Sequence, residues 1–360
     1  MNLKTCPPEE LERRFLLQEE YLGLNKPVNN VAPLVSVVVP TYQHAGYIRD
    51  CLDGILMQKT DFPYEIIVGE DESKDGTRQI CMEYAENYPD RIRLFLRDRS
   101  ISHYKVGDRS IPYNALFSRM SARGKYLAVC EGDDYWIDSC KMQKQVNFLE
   151  ENPDYGFTHA DCHFYFQDKK SWEYNANKNL TNNKPVNSKE ELFRLISDAS
   201  YKVRTATVMY RRDLLKKVVP NTRRFLMGDT PLWLDFSQLT KFKYFDEVFT
   251  VYRILSESAS QSKNLAKKFQ FSLSMAEMRV YYSQKHGYPI NENLKRWYNR
   301  SLINYRIYNP DYKAAYPLFS PSFYENMKLT CVSMPPGRQL FLIKNEIRRF
   351  LANFLKIVIV

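Results

Sequence analysis

Four short apolar runs, each followed by a helix-forming stretch, set the strongest constraint on what this chain can fold into. Residues 34–39 (Leu-Val-Ser-Val-Val-Val) end at Pro40, and 65–69 (Glu-Ile-Ile-Val-Gly), 92–96 (Ile-Arg-Leu-Phe-Leu) and 125–130 (Lys-Tyr-Leu-Ala-Val-Cys) follow. Runs of this kind are the mark of strands covered on both faces. Between them, 46–58 carries Ile48, Leu52, Ile55 and Leu56 at helical spacing. Asp75-Gly76 opens a second helix to about Tyr88, and a third falls near 112–122. Alternation with short connections predicts an α/β fold with a mostly parallel central sheet flanked by helices. Ligands of such sheets bind beyond the carboxyl ends of the strands, so the loops beginning at Pro40, Glu70 and Glu131 are expected to cluster.

Beyond residue 150 the pattern is mixed. Strand-like runs at 155–166, 203–210 and 243–252 are separated by a polar stretch (168–187) and by helical segments near 189–197 and 229–239. From 263 onward the chain reads as helices at 263–286, 291–306 and 338–357, and no internal repeat is visible.

The net charge of +10 admits a nucleic acid, an anionic membrane surface or acidic small molecules as partners. Zinc-finger spacing, a basic heptad region and an RNP-like aromatic strand are all missing, so nucleic acid is not expected. No window of eighteen or more uncharged apolar residues occurs, so no segment reads as a bilayer span. The seven cysteines are scattered without a C-x-x-C pair, and the first thirty residues carry no apolar signal-peptide core. Reduced thiols in a cytoplasmic protein are the expectation.

Two acidic clusters follow directly on predicted strands. Glu131-Gly132-Asp133-Asp134 places three carboxylates within four residues, and they repel one another unless a cation is near. Hard oxygen ligands at that density suit Mg²⁺ or Mn²⁺, which also bind substrate phosphate. On spacing alone a solvated turn capping a helix near Ser139 explains them equally well. In Glu70-Asp71-Glu72-Ser73-Lys74-Asp75-Gly76-Thr77, a carboxylate could accept from the N3–H of a pyrimidine, whereas Asp75 reads as a helix cap.

Pro40-Thr41-Tyr42, the 70–77 run, Gly124-Lys125-Tyr126 and the 131–134 turn, in that order, closely resemble the family 2 glycosyltransferases of GT-A fold. The resemblance covers about residues 33–255. Glu70 stands for the family's first Asp and Glu72 for its Gly. It implies an inverting transfer of sugar from a nucleotide-sugar donor to a saccharide or lipid-linked acceptor. Pro40, Thr41, Tyr42, Asp71 and Ser73 would bind the donor, with Asp71 on the base. Asp133 would be the metal ligand for Mn²⁺ or Mg²⁺, with Glu131 and Asp134 as donor-side neighbours. Asp229 in Met227-Gly228-Asp229-Thr230-Pro231 matches the family's catalytic base, although Asp before Pro is also an ordinary helix start. Arg253 is the expected basic contact to the diphosphate. His159, Asp161 and Trp233 are candidates for the acceptor side, with a hydrogen-bonded core role the plainer reading of the histidine. Asn114 and Arg123-Gly124-Lys125 are weaker candidates for ordering the donor loop.

The domain expectation is then an N-terminal helical or linker segment (1–32), a GT-A catalytic domain (33–255) and a helical C-terminal region (256–360). In 338–357, Leu340, Ile343, Ile347, Phe350, Leu351 and Phe354 share one face, and Lys344, Arg348, Arg349 and Lys356 the other. Such a helix either packs on the protein or lies on an anionic membrane, which would place a cytoplasmic enzyme at the inner face of the plasma membrane. The alternatives are a catalytically degenerate nucleotide-sugar-binding homologue and a nucleotidyltransferase. P-loop, dinucleotide-fingerprint and nucleophile-elbow motifs are absent.

Overall fold

The computed structural model describes residues 6–23, 31–106, 109–177, 186, 188–218, 225–256 and 264–317. The basic segment 338–357 lies outside them. The chain divides into two compact units, one of residues 3–224 and 228–256, the other of 1–2, 225–227 and 257–360. The N-terminal helix falls in the larger unit.

The described strands are β1 (Glu20–Tyr21), β2 (Val35–Thr41), β3 (Tyr64–Glu70), β4 (Ile92–Leu96), β5 (His103–Val106), β6 (Arg109–Pro112), β7 (Tyr126–Val129), β8 (Tyr135–Trp136), β9 (Tyr155–Phe166), β10 (Ser171–Glu173), β11 (Met209–Arg211) and β12 (Lys241–Ile254). The helices are α1 (Pro8–Leu16), α2 (Ile48–Leu56), α3 (Thr77–Asn87), α4 (Arg99–Ser102), α5 (Asn114–Met120), α6 (Lys141–Glu151), α7 (Lys189–Ser197), α8 (Thr230–Phe236), α9 (Leu265–Lys285) and α10 (Glu292–Tyr308). The large sheet runs β1-β4-β3-β2-β7-β11-β9-β12-β8, with β10 on β9. The strands β4, β3, β2, β7, β9 and β12 share one direction, and β11 runs against β7 and β9 between them. All four apolar runs became parallel strands, giving the mixed, mostly parallel sheet flanked by helices that the alternation predicts. The 203–210 run is shorter than expected: it opens as a 3₁₀ turn (Thr205–Thr207) before β11. The short hairpin β5–β6 carries no periodic signal.

Burial explains the register. Val35, Val37, Val39, Ile66, Val68, Leu94 and Ala128 pack with Ile48, Leu52 and Ile55 of α2, Cys81 and Ala85 of α3, and Met142, Val146 and Leu149 of α6. The N-terminal helix seals another side, Cys6 and Leu11 meeting Ile111, Tyr113 and Phe117. At the amino ends of the strands, the buried Glu65 accepts from Ser36 Oγ (2.6 Å) and the Arg123 backbone N–H (2.9 Å) and pairs with the Arg123 guanidinium (2.7 Å). Arg123-Gly124-Lys125 thus braces the end of the sheet opposite the ligand-binding edge and does not order a donor loop.

In the smaller unit, α9 and α10 pack through Leu273, Ala276, Val280, Leu294, Tyr298 and Leu302. Among the described residues no helix is long and apolar enough to cross a membrane.

Candidate functional site

The carboxyl ends of β2, β3 and β7 are laced together by backbone bonds. Thr41 O accepts from Asp71 N–H (3.0 Å), and Pro40 O accepts from Gly132 N–H (3.1 Å). Side chains then tie the loops after β2 and β3. The Gln43 N–H donates to Ser73 Oγ (2.9 Å), the Lys74 N–H to Gln43 Oε1 (2.8 Å), and the Ala45 N–H to Asp75 Oδ2 (3.0 Å). Asp75 also takes the Thr77 N–H (3.1 Å) and hydroxyl (2.6 Å), so it supplies the acceptor at the start of α3 while Gly76 turns the chain at φ 99°. Glu72, at the position of the family's Gly, sits at φ 63°, a region that favours glycine. Its carboxylate accepts from the Arg99 N–H (3.0 Å) and Lys74 Nζ (3.1 Å), which ties the strained turn to α4. Glu70 is buried and held by Arg78 Nε at 2.5 Å.

Asp71 is only 4% exposed. Its Oδ1 accepts from Ser102 Oγ (2.9 Å), and its Oδ2 lies 2.8 Å from His103 Nε2 and 3.4 Å from Arg99 Nε. The Arg99 guanidinium covers the exposed Tyr42 ring at 4.0 Å. Arg99 Nε gives its hydrogen bond to His103 Nε2 (3.2 Å), so at most two of these hydrogen bonds fall on Asp71, which leaves acceptor positions for a ligand. Asn114 braces this edge, donating to Gly69 O (2.7 Å) and accepting from Arg97 Nε (2.7 Å).

The acidic turn closes through an Asp134 N–H to Glu131 O bond (2.9 Å). Asp134 is buried, and its Oδ1 accepts from the Arg253 N–H (2.8 Å). Burial, then the charges of Asp133 and Glu131, push its carboxyl well above the usual range. Glu131 is pushed up to about 8 by burial first, then by Asp133 and Asp229. Its Oε2 is buried without a hydrogen-bond partner among the described residues. Asp133 keeps 24% side-chain exposure, with His44 Nε2 at 4.0 Å from its Oδ2. His44 also meets Thr41 Oγ1 through Nδ1 (3.2 Å), and burial lowers its pKa. None of the three acids caps α6; Asp138 Oδ1 takes the Cys140 N–H instead (2.7 Å).

Arg253 joins the turn to α2. Its Nη1 donates to Asp133 O (3.0 Å), its Nη2 pairs with Asp50, and its guanidinium lies against the Tyr47 and Tyr135 rings. Asp229 caps α8 through the Thr230 N–H (2.6 Å), and its Oδ2 accepts from Thr205 Oγ1 (3.1 Å). Its charge adds to the upward push on Glu131.

The three acceptor-side candidates are all buried. His159 is fully buried, with Nε2 2.7 Å from Tyr201 OH, and burial pulls its pKa down to about 3. Asp161 is buried, its Oδ1 accepting from the Cys162 and Asn177 N–H groups (both 2.8 Å). Trp233 is buried edge-on against Phe157 (4.9 Å) beside Tyr210 and Phe236. None of the three lines an open cleft. Conversely, His44, Arg99, His103 and Thr205 were not foreseen. His44 sits three residues past Thr41 in a ligand-facing loop, which was a usable signal; Arg99 and His103 lie in a stretch without periodicity and had none.

Gly132 has its own steric reason. A Cβ there would meet Thr41 Oγ1 at 2.5 Å and His44 Nδ1 at 2.8 Å. Gly132→Ala is expected to cost about 1–3 kcal/mol by overpacking the joint between the β2 loop and the acidic turn. Thermal melting checks this; an unchanged midpoint would contradict the close packing.

The model of the glycosyl transferase family 2 matches residues 36–219. The uncharacterized protein Rv1520 of Mycobacterium tuberculosis is 42% identical over 120 residues, 33% of this chain and 32% of its own length. The chain thus matches about a third of the length of its mycobacterial relatives. TuaG of Bacillus subtilis, whose name proposes a teichuronic acid biosynthesis glycosyltransferase, is 28% identical over 248 residues, 68% of this chain and 88% of TuaG. Among solved structures, S. aureus TarS 1-349 in complex with UDP-GlcNAc aligns with TM-score 0.45 at 17% identity, covering 76% of this chain and 72% of that one. With the family match running from β2 through the 3₁₀ turn after β11, the chain belongs to glycosyl transferase family 2.

Proposed function

We propose that this protein is an inverting glycosyltransferase that moves a sugar from a nucleotide-diphosphate sugar, with UDP-sugars first to be tested, onto a hydroxyl of a saccharide or lipid-linked acceptor. The observation that carries this reading is a pair of separately held carboxylate systems, the first with Asp133 left partly exposed beside Arg253. One is the self-repelling turn Glu131–Asp134; the other is Asp229, held separately by α8 and Thr205.

The exposed Tyr42 ring offers a stacking face, and an acceptor position left on Asp71 can take an N–H from the base edge. Arg253 supplies a fixed positive charge beside Asp133. The donor set fits a divalent cation: Asp133 is partly exposed, and Glu131 Oε2 is buried without a partner. Among the described residues no three such side chains form a closed cage, so Asp133 would share the ion with diphosphate oxygens and water, as Mg²⁺ and Mn²⁺ allow. Bound there, Mn²⁺ or Mg²⁺ supplies positive charge against the leaving diphosphate. Asp229 takes the proton of the attacking hydroxyl as its oxygen bonds to the anomeric carbon, on the face opposite the departing diphosphate. Thr205 and the α8 amide hold the carboxylate in place for that transfer.

A thermal-shift screen of nucleotide sugars with and without Mn²⁺ tests the reading. A ligand that binds only the native state raises the melting temperature. At least one nucleotide sugar is expected to do so in a metal-dependent way, and a flat response across UDP-, GDP- and dTDP-sugars would overturn the proposal.

A further inference from the structure

Arg204 is a charged group beside the site that the reaction above leaves unused. Among the described residues its guanidinium makes no ion pair or hydrogen bond, and its Nε is buried without a partner. The residue as a whole is only partly buried. Two rings flank it: Phe164 lies 4.7 Å and Tyr252 5.6 Å from its central carbon, directly paired across β9 and β12. Rings offer no lone pairs, so the guanidinium keeps hydrogen-bond donors that no described residue takes.

Arg204 is tethered next to the proposed base. Thr205, the next residue, holds Asp229. The same segment is fixed from behind, Trp136 Nε1 donating to Ala206 O (2.8 Å) and Gln145 Nε2 to Thr207 O (2.9 Å). Burial first, then the charges of Asp134 and Glu131, push the Tyr252 hydroxyl up, and Arg204 opposes them. Successive residues of a strand face opposite ways. Tyr252 therefore carries Arg204 on one face of β12, while Arg253 turns to Tyr47 and Tyr135 on the other. The donor's diphosphate is already served from the Arg253 side. Resting on the reading of Asp229 as the base, we propose that Arg204 binds an anionic substituent of the acceptor, a phosphate or a carboxylate, and selects charged acceptors over neutral ones. The planar fork of a guanidinium matches both oxyanions.

The test uses the full chain, saturated with the nucleoside diphosphate and Mn²⁺ that raise its melting temperature. Glucose 6-phosphate, glucuronate and glucose are then titrated calorimetrically. The phosphate or the carboxylate probe is expected to bind and glucose not, the stronger of the two assigning a phosphorylated or an acidic-sugar acceptor. Arg204→Gln is expected to weaken that binding roughly tenfold or more, with nucleotide affinity unchanged. Equal anion binding by the variant, or a matching loss of nucleotide, would overturn the assignment. In wild type, butanedione labelling read by mass spectrometry covers a variant that fails to fold. Protection of Arg204 by the sugar anion but not by nucleotide and Mn²⁺ supports the proposal; protection by nucleotide alone, or none, sinks it. The nucleotide arm is read first, so a failed donor site is not mistaken for a failed acceptor contact.

Discussion

Asp229→Asn is expected to lower the transfer rate roughly 10²–10⁴-fold, the usual contribution of a positioned general base. Asparagine is as good a helix cap as aspartate, so the α8 start and the fold survive. With the amide oxygen on the Thr230 N–H, the Thr205 hydroxyl can turn to accept from the amide NH2, which keeps the side chain in place. What disappears is the basicity that takes the acceptor proton. Affinity for the nucleotide sugar, measured calorimetrically, should stay within a few-fold, because the proposed role of Asp229 is on the acceptor. Activity above a tenth of wild type would remove Asp229 from the mechanism, and a parallel loss of donor affinity would place it on the donor side.

Asp133→Asn separates chemistry from stability in the opposite sense. Transfer should fall roughly 10²–10³-fold, several kcal/mol of charge stabilisation being withdrawn from the leaving diphosphate. The Mn²⁺-dependent part of the donor-induced melting shift should vanish with it. The ligand-free variant should melt slightly higher than wild type, because Asp133 is among the charges that push Glu131 and Asp134 up. Function bought with crowded carboxylates gives this trade. A variant that keeps the metal-dependent shift would show that the ion is held elsewhere.

Both residues were legible in the sequence, but for different reasons. Asp133 follows a buried strand, and the order of elements alone sends that strand's end to the ligand edge. Asp229 is marked by motif; its approach to Glu131 depends on α8 and the Thr205 turn, which are far apart along the chain. Arg253 was legible as a basic residue near the end of the last long strand, whereas its pairing with Asp50 on α2 was not.

The acceptor-side candidates show where linear reading fails. Alternation along β9 tells which residues share a face with His159, and it cannot tell whether that face is open. Residues 156–162 are buried on both faces, because α8 brings Trp233 and Phe236 over one of them. Arg99 and His103 reach Asp71 through the α4–β5 corner, a turn without periodicity.

By itself the sequence determined the parallel strands, the edge where their loops meet, and the acids on that edge, since apolar period and strand direction are local properties. Tertiary structure alone decided which polar groups are spent on one another and which stay available: Asp71 largely engaged, His159 and Trp233 consumed by the core, Arg204 left without a counter-charge. Those outcomes depend on the distance and burial of groups far apart along the chain, and these exist only once the helices close over the sheet.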